Sequence, residues 1–433
     1  MDTMAFLLGI RVSGIKSIEK TIKIDFYGKS VNKHFNPQKY KVKGIYGENG
    51  AGKSAIITAI EIAKELIFNE NYLRDPQKIL LLKELINKKT EKLTVSFEFL
   101  TNIETLLIYE YEITLLLEDG DIIVESEALR YKENNSNNKQ RIVFECERGE
   151  FINLIISEEM RQIVIDRSRN LLLKQSALYS CFSILGKDER LSIPSNILYP
   201  IIFFLMLNTH FDKEDKHKDY YHKRKIESLK NMNISAEKMI EEYLNGIATD
   251  EGNIPISIFE QYQKNVKRLE RFVKLFKPDL KKIDIERKEN NGFYKCELLM
   301  DYGDYRVNKE FESTGIKKIM DLYNMFSIAS TGGIVFIDEL DSNINDIYLC
   351  KIIEYFKYFG KGQLCFTSHN TDPMEVLKDN NKSIDFLSKN NKVIPWVKNG
   401  HYSPDNLYKE GMIEDLPFNI DSSDFISIFE VKE

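Results

Sequence analysis

The sequence predicts an α/β protein with an antiparallel β subdomain and an inserted helical subdomain. Three observations predict this fold class. The run "GIYGENGAGKSAII" joins a strand-like segment to a helical one, strand-like runs follow one another from residue 93 to 144, and helix and strand alternate from about residue 280 to 396. The predicted divisions are 1–150 for a lobe with the glycine loop and a β meander, 151–280 for the helical insertion, 281–400 for a second α/β lobe, and 401–433 for a tail.

The first lobe begins with two alternating runs, "FLLGIRV" and "TIKIDFY", which predict strands on either side of the turn "SGIKSIEK". A third strand, "YKVKGIY", leads into the glycine loop, and apolar residues then recur at helical spacing from Ser54 to Phe68. The runs of the antiparallel meander are separated by polar turns; they are "LTVSFEFL", "LLIYEYEITLLL", "DIIVESEALRY" and "RIVFECE".

Residues 151–280 are predicted to be mostly helical, and the run from Lys213 to Lys230 within them mixes both charge signs. A solvated face is the favoured interpretation of that run, and a binding surface for a partner or for nucleic acid is the alternative. Beyond residue 280 the predicted elements alternate between strand and helix. They are the strands "KKIDIERKE" and "GFYKCELLMDY", a helix after Ser313, the strand "GGIVFIDEL", a helix over 347–359 and the strand "GQLCFTSH".

Length and composition predict a globular chain of two to three domains, with 433 residues of which 42% are hydrophobic. The net charge of −6 gives no overall basic character, so it favours neither the presence nor the absence of a local nucleic-acid site. Five cysteines lack any C-x-x-C spacing, which favours reduced thiols, mostly in the core. The apolar runs are shorter than the roughly 20 residues of a membrane span, and no cleavable leader is recognisable. We therefore expect a cytoplasmic protein without a membrane partner.

The glycine run matches the phosphate-binding pattern G-x-x-x-x-G-K-[ST] in the context that this pattern requires, between a strand and a helix. Glycines let consecutive backbone N–H groups approach phosphate oxygens, and the start of the helix adds its positive dipole end. Lys53 is expected to reach the β and γ phosphates of ATP, and Ser54 to coordinate Mg²⁺. The predicted nucleotide-binding residues here are Gly47, Glu48, Asn49, Gly50, Ala51, Gly52, Lys53 and Ser54.

Two later strands end in residues that suit the same chemistry. The strand "GGIVFIDELD" ends in Asp338 and Glu339, with Asp341 beyond. Asp338 is predicted to hold Mg²⁺, and Glu339 to polarise the water that attacks the γ phosphate. The strand "QLCFTSHNTDP" ends at His369, which is predicted to sense the γ phosphate or that water, because ligands of parallel sheets bind at this edge.

The order of these motifs resembles the ABC-type ATPase head of structural-maintenance-of-chromosomes proteins and of the overcoming-lysogenization-defect family. More closely, four segments resemble the ATPase subunits of bacterial phage-defence systems such as PARIS and AbiL. These segments are "IKSIEKTIKIDFY", "VKGIYGENGAGKSAIITAI", "GGIVFIDELD" and "FTSHNTDPMEVL". The resemblance covers the first 70 residues and about the last 120, and it implies an ABC-type P-loop NTPase head.

The resemblance also implies roles for single residues. Glu339 would be the catalytic base and His369 the switch histidine. Ser313 and Gly315 would form the signature element that contacts nucleotide on a facing subunit, although the residues alone favour a plain helix cap. Lys16 falls where relatives carry a basic residue near the nucleotide. The signature "ESTGIKK" departs from the longer Ser-Gly-Gly pattern of the family, and for the glutamine loop only Gln77 and Gln175 are candidates.

The function that the resemblance implies is an ATP-driven switch. It would assemble as a homodimer or higher homo-oligomer and control a separate effector, such as a Toprim-type or other nuclease, in response to a phage-encoded trigger. The alternative is an SMC-like repair or recombination ATPase that engages DNA. A nuclease domain in the same chain is disfavoured, because only about 60 residues follow His369.

Overall fold

The computed structural model describes residues 4–28, 31, 35–103, 106–133, 139–188, 190–211, 251–290, 292–380, 382–398 and 402–416. The charged run from Lys213 to Lys230 lies outside these residues. The helices are α1 (Lys53–Phe68), α2 (Pro76–Leu85), α3 (Glu158–Ser168), α4 (Ala177–Gly186), α5 (Ser195–Met206), α6 (Phe259–Val273), α7 (Thr314–Thr331), α8 (Asp346–Tyr358), α9 (Asp372–Leu377) and α10 (Pro404–Lys409). The strands are β1 (Ala5–Ser13), β2 (Ile22–Asp25), β3 (Val42–Tyr46), β4 (Lys92–Asn102), β5 (Leu106–Glu118), β6 (Asp121–Glu133), β7 (Arg141–Glu147), β8 (Glu150–Leu154), β9 (Leu207–His210), β10 (Gly252–Pro255), β11 (Lys282–Asn290), β12 (Phe293–Asp301), β13 (Arg306–Asn308), β14 (Ile334–Ile337), β15 (Gln363–Thr367), β16 (Ile384–Leu387) and β17 (Val393–Pro395).

A mostly parallel sheet forms the centre of the fold. Its strand order is β17-β16-β3-β15-β14-β9, and only the β16–β17 pair is antiparallel. Every residue of β3, β14 and β15 is buried, because both faces of the sheet are covered. Ile334 and Phe336 point into the core shared with α1 and α5, whereas Val335 and Ile337 point into the core shared with α7 and α8.

The predicted meander is confirmed as an antiparallel sheet of order β2-β1-β4-β5-β6-β7-β8. The two N-terminal strands join it, so the chain begins in this sheet before it enters the central one. Aromatic side chains fill the space between this sheet and α5, where the Phe99 and Phe203 rings stack with centroids 3.8 Å apart. Glu127 of β6 is buried and accepts hydrogen bonds from the backbone N–H groups of Ala177 and Leu178, which ties the start of α4 to the sheet.

Two observed features differ from the predicted divisions. Residues 207–210 fall within the predicted helical insertion, but they form β9, which pairs in parallel with β14. The backbone groups of β14 are buried and must be paired on both sides, and a four-residue strand is too short to show a period in the sequence. A small sheet of order β10-β12-β11, with β13 on β12, packs with α6 and crosses the boundary predicted at 280.

The cysteines behave as core residues, as predicted for most of them. Cys146, Cys181, Cys296 and Cys365 are buried, and Cys350 is partly exposed. Burial raises the pKa of Cys146 to about 12, so this thiol stays protonated and packs as a small apolar group. Within the described ranges, no helix combines the length and apolar character needed to cross a membrane.

Candidate functional site: a phosphate-binding loop at the edge of the parallel sheet

The glycine loop connects the end of β3 to the start of α1, as the motif predicts. Gly50 and Gly52 have φ of +80° and +106°, a region that side chains with a Cβ rarely adopt. A Cβ added at Gly47 would lie 2.3 Å from the carbonyl oxygen of Leu387, so the loop also needs a glycine for close backbone packing. Gly52 precedes α1 without any side-chain cap, which leaves the first N–H groups of the helix available to an anion.

Lys53 is the charged centre of the loop. Its ammonium donates to the carbonyl oxygens of Gly47 at 2.6 Å and Glu48 at 3.2 Å. Burial lowers the pKa of Lys53, and the carboxylates of Asp338, Glu339 and Asp341 oppose this shift. The lysine and the acidic strand end therefore interact electrostatically, although they are about 290 residues apart in the sequence.

The strand order brings the predicted site residues to one edge of the sheet. Strand β15 lies between β3 and β14, and all three are parallel, so their carboxyl ends meet at the same edge. Asp338 directly follows β14 and is buried, whereas Glu339 beside it is exposed. His369 follows β15 and is also exposed. The predicted metal ligand is thus inside the edge, and the predicted base and switch side chains face outward.

Hydrogen bonds join the two strand ends. The Thr367 hydroxyl donates to Asp338 Oδ1 at 2.6 Å, and the backbone N–H of Glu339 donates to the same hydroxyl at 2.8 Å. Asp341 Oδ2 accepts the backbone N–H groups of His369 at 3.2 Å and Asn370 at 3.0 Å. The acidic turn and the histidine turn are therefore held in fixed relation to one another.

The donors at this edge suit Mg²⁺. Ser54 in the first turn of α1 offers a hydroxyl oxygen and Asp338 offers a carboxylate oxygen, the hard ligands that Mg²⁺ prefers. Among the described residues, no group of three or more His, Cys, Asp or Glu side chains could hold a metal ion by itself.

The turn that carries Lys16 lies against the glycine loop. The Ser17 hydroxyl donates to the Gly50 carbonyl at 3.1 Å, and a Cβ at Gly52 would lie 2.8 Å from Ile18 Cγ1. Lys16 itself is exposed, with φ of +47°. Its side chain is therefore carried on a turn that contacts the loop directly.

The remaining residues of the loop differ in exposure. Asn49 is exposed at its tip and Ala51 is buried beneath it. The Glu48 carboxylate pairs with the ammonium of Lys389, which lies in the turn between β16 and β17. This ion pair ties the loop to the neighbouring strand end.

The predicted signature residues lie at the start of α7, which precedes the acidic strand β14 in the chain. Ser313 is exposed and precedes α7 without a side-chain hydrogen bond to the helix, so it is not the plain cap that the residues alone favoured. The Ser313 N–H donates to the Glu312 carboxylate at 3.2 Å. A Cβ at Gly315 would lie 2.8 Å from the Asn343 carbonyl oxygen, which packs the start of α7 against the loop after Asp341.

Two residues of the site were missed in the sequence. Thr367 is the last residue of β15. The sequence did offer a signal for it, namely a hydroxyl-bearing residue at the end of one buried strand when another buried strand leads to acidic residues. Tyr408 on α10 gave no such signal. It is buried and stacks on Phe386 with centroids 5.6 Å apart. Burial, with Glu48 adding to the effect, raises the pKa of Tyr408 to about 12, and a backbone hydrogen bond with Gly47 opposes the rise.

Comparisons with known proteins give structural similarity only. No family model matches the chain, and no curated protein matches it. Among solved structures, the chain is similar to the recombination mediator protein RecF of the RecFOR pathway. The form with ATP is 15% identical at a TM-score of 0.39, covering 92% of this chain and 99% of that one. A form named RecF-ATPrS is 13% identical at a TM-score of 0.39, covering 92% of this chain and 100% of that one.

Proposed function

We propose that the protein is a Mg²⁺-dependent ATPase. The single observation that carries the proposal is the position of Lys53, whose ammonium lies within the glycine loop and in the field of Asp338, Glu339 and Asp341. A triphosphate would take the place of the loop carbonyls as partner of Lys53, and the uncapped start of α1 would receive phosphate oxygens.

The exposed and buried side chains would have different roles in hydrolysis. Glu339 projects from the sheet edge, where its carboxylate can accept a proton from the attacking water. Asp338 and Ser54 would hold Mg²⁺, which neutralises charge on the β and γ phosphates when bound. His369, tied to Asp341 through its backbone, would contact the γ phosphate. Lys53 balances the charge that develops on the leaving group.

The finer proposal is that ATP drives this chain as a switch in a phage-defence system. Paired or higher homo-oligomeric heads would form when nucleotide on one subunit meets Ser313 and Gly315 of another, and this assembly would retain a separate effector such as a nuclease. Two observations support it: the motif resemblance to phage-defence ATPases, and the exposure of Ser313 at the uncapped start of α7.

Two variants test the ATPase and the switch separately. Lys53→Ala should lose nucleotide affinity and turnover, and unchanged binding and turnover would refute the glycine-loop assignment. Glu339→Gln keeps the size of the side chain but removes the base, so ATP should bind and remain uncleaved. In cells that express the neighbouring genes, this variant should retain its protein partner with and without phage. If neither condition enriches a partner, the switch proposal fails while the ATPase proposal can stand.

A DNA-engaging ATPase is the second candidate, and the outer face of α6 favours it. Lys264, Arg268 and Arg271 are exposed on that face, opposite the core side chains of the helix, in a chain whose net charge is −6. Phosphate contacts release counterions, so binding through this face should weaken steeply with salt. Changing these three residues together to Glu should abolish salt-dependent DNA binding. DNA affinity equal to that of the wild type would exclude this face.

A further inference from the structure

The Thr367 hydroxyl lies between the Asp338 carboxylate and the backbone N–H of Glu339. Thr367 is fully buried at the end of β15, and its hydroxyl bonds Asp338 Oδ1 at 2.6 Å and the Glu339 N–H at 2.8 Å. Its carbonyl oxygen accepts the Leu340 N–H at 3.0 Å. One residue therefore contacts three consecutive residues of the acidic turn.

The direction of these bonds is fixed by the chemistry of the partners. The Glu339 N–H can only donate, so the Thr367 oxygen accepts from it, and the single hydroxyl proton of Thr367 is directed to Asp338 Oδ1. Because Asp338 Oδ1 accepts this bond, the orientation of the carboxyl group is fixed, and its remaining lone pairs would be available to a metal ion.

The Glu339 backbone needs such support. Its φ is +48°, in the left-handed region that residues with a Cβ rarely adopt. Two bonds to Thr367, from the N–H groups of Glu339 and Leu340, hold the turn in this conformation. The conformation sends the Glu339 side chain out to the exposed edge while Asp338 stays buried.

We propose that Thr367 is a positioning residue, which orients the Asp338 carboxylate toward Mg²⁺ and fixes the backbone from which Glu339 projects. This inference rests on the proposed ATPase function. It differs from a packing role because a methyl group could fill the same space, whereas only a hydroxyl can donate to one partner and accept from the other.

The test uses Thr367→Val, which keeps the shape and removes the hydroxyl, and Thr367→Ser, which keeps the hydroxyl. Loss of a group that orients a metal ligand costs about 10- to 100-fold in metal affinity or activity. Thr367→Val should lower kcat by that factor and raise the Mg²⁺ concentration needed for tight binding of a non-hydrolysable ATP analogue about tenfold or more. Its affinity for the analogue without Mg²⁺ should stay within about twofold of the wild type, and Thr367→Ser should restore both properties.

Thr101→Val is the matched control. Thr101 is fully buried in β4, and its hydroxyl has no hydrogen-bond partner within the described part of the chain. This variant should leave kcat and Mg²⁺ dependence unchanged. If Thr367→Val does not fold, Thr367→Cys replaces it, because a thiol is only a weak donor.

The outcomes separate this inference from the proposed function. If the wild type hydrolyses ATP and Thr367→Val matches it in kcat and in Mg²⁺ dependence, the positioning role is refuted and the ATPase stands. If the wild type and Lys53→Ala are equally inactive and bind no ATP analogue, the proposed function itself fails. If Thr367→Ser is as impaired as Thr367→Val, shape rather than the hydroxyl is what the site requires, and the inference is overturned.

Discussion

A buried ion pair behind the glycine loop gives the sharpest prediction about stability. Lys43 Nζ in β3 lies 2.6 Å from Asp385 Oδ2 in β16, and the two side chains are 1% and 3% exposed. The Lys43 ammonium also lies 5.5 Å from the centroid of the Phe26 ring. Burial raises the pKa of Asp385, and Lys43 opposes the rise, so the carboxylate depends on the lysine for its charge.

The expected magnitudes follow from this burial. Lys43→Met leaves the Asp385 carboxylate without a counter-charge, which costs about 3–5 kcal/mol of unfolding free energy at neutral pH. Asp385→Leu leaves the Lys43 ammonium without a counter-charge, and the loss of unfolding free energy should be similar. The double variant buries no charge, and apolar side chains of similar volume should bring the loss to about 1 kcal/mol or less. The coupling between the two sites is therefore expected to exceed either single effect.

The sign of the pH dependence is also defined. In Lys43→Met the pKa of Asp385 is raised further above its unfolded value, so the folded state binds the proton more tightly. The stability that protonation provides is present below the unfolded pKa and is lost as pH rises through the folded pKa. The stability of the single variant should therefore recover at acid pH relative to the wild type.

The fluorescence of Trp396 can be used to measure these stabilities. Trp396 is the only tryptophan in the chain, it is buried, and its backbone N–H bonds the carbonyl of Ile384, the residue before Asp385. Its fluorescence in urea therefore reports on the strand that carries the pair. A loss of less than about 1 kcal/mol in Lys43→Met, or a double variant whose loss equals the sum of the single losses, would refute the reasoning.

Three further predictions concern other parts of the molecule. Burial acts to raise the pKa of Glu270, but bonds from two lysines and from the Ile283 N–H outweigh it and lower this pKa to about 2. The contribution of Glu270 to the free energy of unfolding is therefore present above its unfolded pKa and is lost as pH falls toward 2. Glu270→Gln should cost about 2 kcal/mol of that free energy near pH 7 and make stability less dependent on pH in the acid range. Gly52→Ala should reduce ATP-analogue affinity more than Gly50→Ala, because both strain the backbone but only the first brings a Cβ within 2.8 Å of another side chain; equal losses in a binding titration would contradict this. Glu339→Gln should retain that affinity while losing turnover in a phosphate-release assay, and a variant with full turnover would exclude Glu339 as the base.

Features carried by one continuous stretch of chain could be predicted from the sequence. The loop between β3 and α1, the meander and the strand that leads to Asp338 are each specified by local spacing and by runs of apolar residues. The glycine loop is the clearest case, because its glycines, lysine and serine all fall within eight consecutive residues.

The tertiary structure decided which residues meet across the sheet. Ile337 pairs with Phe366 in the parallel register, so the next residues, Asp338 and Thr367, come to face one another. The sequence shows that both strands are buried, but it does not show which strands are neighbours or in what register. Strand β9 and the contact of Ser17 with Gly50 depend in the same way on distant segments. Periodicity records the burial of one segment at a time, whereas a hydrogen bond between side chains depends on the relative placement of two, and only packing of the whole chain fixes that placement.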